Sequence, residues 1–189
     1  MLVYRVFFYD RSAAEGTSGH PYYLHRPQAH GRWDNPDLYD SWYFAKSAEG
    51  AVGEVFGNLA RWTPAMFDTR TPGLRRALAV CSVPDELSTF NFDDARNLVT
   101  INMRPSEVVI RNKAFTQKRA SSLWAETGSD GLPRWSGLEW WSFHFPQWTN
   151  LMMWVDPLEP SPATLREVIP LNLSTPAVIE AASVLRRPL

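Results

Sequence analysis

The chain has 189 residues, of which 44% are hydrophobic and 21% charged, and its formal net charge is −1 at pH 7. These values are typical of a folded globular protein, and the near-neutral charge argues against a general nucleic-acid-binding protein. The single cysteine excludes an intrachain disulfide and a thiol-based metal cluster, and no stretch reaches the roughly 20 apolar residues of a membrane-spanning helix. We therefore expect one soluble domain over residues 1–189, without a membrane segment, in the cytoplasm.

The chain opens with a segment rich in β-forming residues, Val3 to Tyr9, which predicts a buried strand. Arg5 stands among its apolar residues, so its guanidinium group needs a partner. From Asp10 to Ser41, glycines and prolines interrupt any regular pattern and predict a long loop, which its aromatic residues should keep ordered. Loops of this length in compact domains are often functional.

A short strand is predicted at Trp42–Ala45, followed by a helix that begins after the N-cap Ser47 and runs to about Trp62. Apolar residues at helical spacing give this helix a core-facing stripe. Glu54 lies beside the stripe, with a glycine about one turn before it and another about one turn after it. Because glycines permit close approach of another group, we expect a crowded pocket wall at Glu54.

The rest of the chain predicts several short strands and two more helices. The strands are expected at Ala77–Val83, Val99–Met103, Val108–Ile110, Trp140–Phe145 and Asn150–Val155, and the helices over Lys113–Glu126 and Ala177–Leu185. Residues 156–162 form a proline-rich connector. The tryptophans of this half are expected to build the core, with a partner-binding surface as the alternative: Trp135, Trp140, Trp141, Trp148 and Trp154. Strands outside a regular strand–helix alternation predict the α+β class.

Several common catalytic motifs are missing from the sequence, including the phosphate-binding P-loop, the Gly-x-Ser-x-Gly elbow and the dinucleotide-binding glycine fingerprint. The four histidines lack the helical spacing of zinc ligands, so no metal site is predicted. What remains is a set of arginine, aromatic and carboxylate residues whose chemistry suits an anionic nucleotide: Arg5, Arg32, Trp33, Tyr43 and Glu54.

These residues stand in an ordered set that resembles the RES domain family, named for arginine, glutamate and serine. The set consists of Tyr4-Arg5-Val6, Gly31-Arg32-Trp33 with Asn35, Tyr43-Phe44-Ala45 with Ser47 and Ala51, and Glu54-Val55. A looser resemblance runs through Gln117, Trp124, Asp130-Gly131-Leu132, Ser136 and Asn150-Leu151, which leaves residues 156–189 as a C-terminal connector and helix. The resemblance implies an ADP-ribosyltransferase-like α+β fold, with short mixed or antiparallel sheets and flanking helices.

The resemblance also implies roles for individual residues. Arg5 and Arg32 would hold the pyrophosphate of NAD, and Tyr43 would pack against nicotinamide or its ribose. Glu54 would stabilise the positive charge that develops on the ribose, and Ser136 would hydrogen-bond the ribose or the carboxamide. The alternatives are structural: a buried ion pair for Arg5, core packing for Tyr43 and a salt bridge on the helix surface for Glu54.

Ser136 fits the family pattern less well than the other residues. Trp135 directly precedes it, and Gly137 follows it where a basic residue is expected. Ser129 and Ser142 are therefore kept as possible substitutes.

Members of this family are typically toxins of RES–Xre type toxin–antitoxin pairs that cleave the nicotinamide–ribose bond of NAD. The resemblance thus implies that NAD is the substrate, that no further cofactor is needed, and that water or phosphate accepts the ADP-ribose. It also implies an antitoxin partner of helix-turn-helix type and no direct contact with nucleic acid. Two alternatives stay open, namely an enzyme that transfers ADP-ribose to a protein side chain and a non-catalytic protein-interaction module.

Overall fold

The structure is a computed structural model, and it describes residues 1–157 and 159–189. Its strands are β1 (Leu2–Tyr9), β2 (Asp40–Ala45), β3 (Arg75–Ser82), β4 (Thr89–Asn91), β5 (Gly137–Trp141), β6 (Thr149–Val155) and β7 (Thr164–Pro170). Its α-helices are α1 (Ala48–Phe56), α2 (Ala95–Thr100), α3 (Pro105–Val108), α4 (Lys113–Trp124) and α5 (Pro176–Val184). The strands form one mixed sheet in the order β4-β5-β6-β2-β1-β3-β7, in which only the pair β4 and β5 is parallel. The predicted α+β class is confirmed, with one continuous sheet instead of several short ones.

The two central strands, β1 and β2, pair with each other at a single position, where Tyr4 lies opposite Ala45. Away from this position each strand keeps its other neighbour: β1 pairs with β3 along its whole length, and β2 pairs with β6 along its whole length. The sheet therefore opens between β1 and β2. Arg5 follows the point of contact directly, so it lies where the two strands begin to separate.

Helix α1 covers one face of the sheet next to this opening. Its N-cap is Ser47, as predicted, whose hydroxyl group accepts a hydrogen bond from the Gly50 N–H at 3.1 Å. The helix ends at Phe56 and not near residue 62, because Gly57 stands at the C-cap and its carbonyl oxygen accepts a hydrogen bond from Arg187 at 2.9 Å. Glycine is a poor helix former, and the arginine satisfies a carbonyl group that the helix leaves free.

Two strand predictions are wrong, since Val99–Met103 and Val108–Ile110 lie in helix α2, helix α3 and the turns that follow them. Local capping overrides the β-forming residues: the side chain of Asp94 accepts from the Arg96 N–H at 2.9 Å at the start of α2, and Pro105 occupies the first turn of α3. Conversely, β4 and β7 were not predicted. β4 has only three residues, and β7 is a largely exposed edge strand without apolar alternation.

The other predicted elements are confirmed with shifted ends, including the strand that stops at Trp141, four residues early. The tryptophan run does build core, since Trp140, Trp148 and Trp154 are buried and Trp135 and Trp141 are partly buried. The residues from 10 to 39 form the expected long irregular segment. Part of the predicted connector, Leu158, lies outside the described residues. In the described part of the chain, no helix is long and apolar enough to cross a membrane.

Candidate active-site cleft

The opening between β1 and β2 continues into three adjoining pockets. The central pocket, of about 180 Å³, is mainly apolar and is lined by Tyr4, Arg5, Val6, Tyr43, Phe44, Ala45, Ala51, Glu54, Val55, Trp140 and Asn150. The cationic pocket, of about 390 Å³, is lined by Arg32, Glu54, Asn58, Val109, Arg111, Phe143 and His144. The loop pocket, of about 270 Å³, is lined by Arg5, Tyr43, Asp34 and residues 24–31 except Arg26. Glu54 is shared by the first two, and Arg5 and Tyr43 are shared by the first and third.

A closed chain of hydrogen bonds fixes the turn that carries Arg32. The carboxylate of Asp34, which is buried, accepts from the Gly31 N–H at 2.6 Å and from the Tyr43 hydroxyl at 2.7 Å. The same hydroxyl oxygen accepts from the Trp33 N–H at 3.0 Å. Gly31 is required here, because a Cβ atom at this position would lie 2.5 Å from the Tyr43 hydroxyl oxygen and 2.7 Å from Cγ of Asp34.

Helix α4 holds the same turn from its other side. The hydroxyl group of Thr116 donates to the Arg32 carbonyl at 2.5 Å, and the amide group of Gln117 donates to the Gly31 carbonyl at 3.1 Å. The side chain of Asn35 in turn donates to the Gln117 carbonyl at 3.0 Å. The turn is thus tied to β2 through Tyr43 and to α4 through these bonds, so its backbone is set before any ligand binds.

Tyr43 places its ring between the central and loop pockets while its hydroxyl group stays bound to Asp34. Burial raises the pKa of Tyr43 well above its ordinary value, and the charge of Asp34 raises it further. The phenol is therefore neutral at physiological pH, and its proton is committed to Asp34. Its ring meets that of Trp140 edge to face at a centroid distance of 6.2 Å, which gives the central pocket two aromatic walls.

Arg32 extends from the fixed turn into the cationic pocket, where its guanidinium group donates to the Val108 carbonyl. Burial lowers the pKa of Arg32, while the charges of Glu54 and Tyr43 act in the opposite direction. With Arg111 and His144 on the same walls, the pocket carries more basic than acidic groups, so it is suited to an anion.

Glu54 lies on the exposed face of α1, at the boundary between the central and cationic pockets. Its Oε1 atom accepts a hydrogen bond from the amide group of Asn150 at 3.0 Å. Among the described residues it makes no ion pair, so the alternative of a surface salt bridge is not met. The carboxylate is held in place at one oxygen while its charge stays uncompensated by direct contact.

The expected crowding around Glu54 is present, and aromatic side chains cause it. A Cβ atom at Gly50, one turn before Glu54, would lie 3.4 Å from the Trp148 side chain, and one at Gly57, one turn after it, would lie 2.7 Å from Nδ1 of His144. At Gly53 a Cβ atom would overlap the Trp148 ring, lying 2.7 Å from Cη2 and closer still to Cζ3. The glycines of α1 therefore let the turn between β5 and β6 pack against the helix, which brings His144 to the wall of the cationic pocket.

Arg5 lines the central pocket at its border with the loop pocket, whereas Glu54 lines it at the border with the cationic pocket. Its Nη2 donates to the Tyr23 carbonyl at 3.3 Å, and its guanidinium carbon lies 5.1 Å from the centre of the Trp42 ring. Its Nη1 is buried without a hydrogen-bond partner, and no carboxylate of the described residues lies within ion-pair distance. Burial lowers the pKa of Arg5 to about 10. Arg5 therefore does not form the buried ion pair that was the structural alternative for it, at least among the described residues. Arg5 and Arg32 also line different pockets.

The structure does not bring Ser136 to the cleft. Ser136 directly precedes β5, and Trp140, which borders the central pocket, comes four residues later opposite Asn150. At about 3.3 Å per strand residue, this separates Ser136 from the pocket by about 13 Å. Its backbone groups bond to Ser88 at 2.6 Å and to Trp154 at 3.3 Å, so it joins strands at the far end of the sheet.

Ser142, at the near end of β5, is the serine next to the cleft. It is fully buried, and its hydroxyl oxygen accepts from the backbone N–H groups of His144 at 3.0 Å and Phe145 at 3.4 Å. It thereby shapes the turn whose next two residues, Phe143 and His144, line the cationic pocket. The family pattern alone does not select Ser142, because Phe143 and not a basic residue follows it directly and His144 comes one position later. Ser129 lies in an exposed turn.

Four polar residues of the cleft received no role from the sequence: Asp34, Arg111, His144 and Asn150. Asp34 stands three residues after a glycine, a spacing that allows its side chain to cap the turn, and this was the available signal. Arg111 and His144 lie far apart along the chain and meet only through the packing of their turns. No sequence pattern joins them.

Residues 2–174 of the chain match the sequence model of the RES domain family. A chain of the crystal structure of the M. tuberculosis MbcT-MbcA toxin-antitoxin complex is similar, with a TM-score of 0.62 and 14% sequence identity, and the match covers 98% of this chain and 88% of that chain. No curated protein matches the sequence significantly.

Proposed function

Since this chain belongs to the RES domain family, we propose that it consumes NAD by cleaving the bond between nicotinamide and ribose, as the toxin of a toxin–antitoxin pair. The observation that supports this best is the position of Glu54, a carboxylate that makes no ion pair among the described residues and lies between an aromatic pocket and a cationic one. NAD has the matching order of groups: an aromatic ring, the bond to be cleaved, and an anionic pyrophosphate.

In this arrangement the nicotinamide ring occupies the central pocket between Tyr43 and Trp140, where burial of its faces supplies binding energy. The pyrophosphate lies in the cationic pocket on Arg32, whose planar group can engage two oxygens. The fixed turn that carries Arg32 lowers the entropy cost of binding, because its backbone is already ordered.

Glu54 faces the ribose carbon whose bond to the ring nitrogen breaks. As the bond lengthens, its electron pair moves to the ring nitrogen and positive charge develops on the ribose, which the carboxylate stabilises. Nicotinamide leaves as a neutral ring, and then either phosphate or water adds to the ribose carbon, with water releasing one proton to solvent. Asn150 holds the carboxylate through the bond at 3.0 Å, so little reorganisation is needed during the reaction.

The partner that we propose is an antitoxin of helix-turn-helix type that covers the cleft and keeps NAD out. The cleft exposes apolar side chains that such a partner would cover, including Val55 and Phe143. Cleavage of NAD in the cytoplasm would then stop growth only when the antitoxin is lost.

The test is incubation of the purified protein with NAD, with and without inorganic phosphate, followed by chromatographic quantification of nicotinamide and of the ADP-ribose product. Release of nicotinamide with free ADP-ribose indicates hydrolysis, and ADP-ribose carrying a new phosphate indicates transfer to phosphate. Label from adenine-labelled NAD on protein would replace the acceptor by a protein side chain. Unchanged NAD in both mixtures contradicts the proposal.

A further inference from the structure

Arg5 is the one cationic group of the central pocket, and nothing in the described part of the chain neutralises it. Its Nη2 donates a long hydrogen bond to the Tyr23 carbonyl, and its guanidinium group lies over the Trp42 ring. Its Nη1 is buried and has no hydrogen-bond partner among the described residues. A buried charge without an ion pair is costly, so a fold that retains one gains from any ligand that supplies the missing anion.

The surroundings of Arg5 limit where that anion can be. In the proposed arrangement the pyrophosphate oxygens lie beyond the ribose, in the cationic pocket, whereas Arg5 lines the central and loop pockets and not the cationic one. In the central pocket Arg5 stands with aromatic and aliphatic groups such as Tyr4, Val6 and Phe44, while the carboxylate of Glu54 lies at the border with the cationic pocket. The loop pocket, which Arg5 also lines, contains the carboxylate of Asp34, whose charge disfavours an anion there. The anion must therefore sit on the flat ring that fills this pocket.

We propose that Arg5 binds the acyl substituent of the pyridine ring, and that the protein also cleaves dinucleotides whose ring carries a carboxylate, with nicotinic acid in place of nicotinamide. This inference rests on the proposed function, because it assigns the central pocket to the ring. A carboxylate neutralises Arg5 and accepts charge-assisted hydrogen bonds, whereas a carboxamide offers only one neutral oxygen. The cleft thus accepts both rings and binds the acidic one more tightly.

The reaction with the acidic ring balances as it does for NAD. The bond between the ring nitrogen and the ribose carbon breaks, and its electron pair neutralises the pyridinium nitrogen. Nicotinate leaves with its carboxylate still paired to Arg5. Water supplies the hydroxyl group on the ribose carbon and releases one proton to solvent, so no oxidant, reductant or further co-reactant takes part.

The experiment has a kinetic arm and a binding arm. The kinetic arm measures kcat/KM for NAD and for nicotinic acid adenine dinucleotide with wild type, Arg5→Gln, Arg5→Lys and the control Arg75→Gln, whose arginine is exposed and paired with Asp68. The binding arm measures by calorimetry how tightly each protein binds free nicotinate, nicotinamide and 3-methylpyridine, and circular dichroism verifies that each variant is folded. We expect Arg5→Gln to lower the preference for the acidic ring about tenfold, Arg5→Lys to retain part of it and Arg75→Gln to retain it fully.

Each outcome separates this inference from the proposed function. Cleavage of NAD but not of the acidic dinucleotide overturns the inference and leaves the proposed function intact. If neither dinucleotide is cleaved but nicotinate binds more tightly than nicotinamide in an Arg5-dependent way, the proposed function fails and the ring site stands. If nicotinate binds no better than 3-methylpyridine, or if Arg5→Gln folds and keeps the preference, the assignment of Arg5 is wrong.

Discussion

Replacement of Glu54 by glutamine tests the proposed chemistry most directly, because the structure separates its effect on turnover from its effect on folding. The hydrogen bond from Asn150 at 3.0 Å persists, since glutamine keeps an oxygen at the position of Oε1. The side chain is exposed and makes no ion pair among the described residues. We therefore expect the free energy of unfolding to change by no more than about 0.5 kcal/mol.

The effect on turnover follows from the lost charge. A carboxylate about 4 Å from the positive ribose carbon, at an effective dielectric constant of about 20, stabilises that charge by about 4 kcal/mol. Because about 1.4 kcal/mol corresponds to a factor of ten in rate, glutamine should lower kcat by about a thousandfold. KM should change little, since the charge acts mainly in the transition state.

The assay is nicotinamide release under saturating NAD, combined with urea unfolding of the same preparations. The matched control is Glu49→Gln, the same change in the first turn of the same helix, which should leave kcat unchanged. Equal kcat values for the two variants would show that Glu54 does not stabilise the transition state. A large loss of stability in Glu54→Gln would show instead that its role is structural.

Three further predictions concern the walls of the cleft. Alanine in place of Gly53 would normally stabilise a helix by about 1 kcal/mol, but its Cβ atom would overlap the Trp148 ring, lying 2.7 Å from Cη2 and closer still to Cζ3. We therefore expect the free energy of unfolding in urea to fall by about 1–3 kcal/mol, with a shift in tryptophan fluorescence, and a gain in stability would contradict this packing. Tyr43→Phe leaves a buried carboxylate oxygen of Asp34 without its partner and should cost about 1–3 kcal/mol. Because the pKa of Tyr43 is raised in the folded protein, the unfolded chain releases this proton at lower pH than the folded one. The free energy of unfolding of wild type should therefore fall by about 1.4 kcal/mol per pH unit above about pH 10, relative to Tyr43→Phe. Parallel curves of stability against pH for the two proteins would refute the assignment. Ser142→Ala should lower the free energy of unfolding by about 1–2 kcal/mol and raise KM for NAD, because it removes the hydrogen bonds that hold the turn carrying His144. Ser136→Ala should leave both quantities unchanged. The reverse result would identify Ser136 as the serine of the site.

The sequence by itself determined the elements whose signals are local. The stripe of α1 and its cap at Ser47, the strand that carries Tyr43, and helix α5 after Pro176 all depend on neighbouring residues, and they lie close to where those residues place them. The spacing of Arg32, Tyr43 and Glu54 likewise identified three residues that the structure brings to one cleft. Periodicity and capping act within a few residues, and a single sequence contains that information.

Tertiary structure alone decided how the cleft is built. β1 and β2 separate because β1 pairs along its length with β3 and β2 pairs along its length with β6. As a result Arg5 and Arg32 line different pockets, although the sequence assigned both to the same pyrophosphate group. The choice between Ser136 and Ser142 depends on which end of β5 lies opposite Asn150, since a strand of five residues has two ends about 13 Å apart. The strand predictions at residues 99–103 and 108–110 were wrong although both segments contain β-forming residues. A strand needs a partner strand from elsewhere in the chain, and neither segment pairs with one among the described residues.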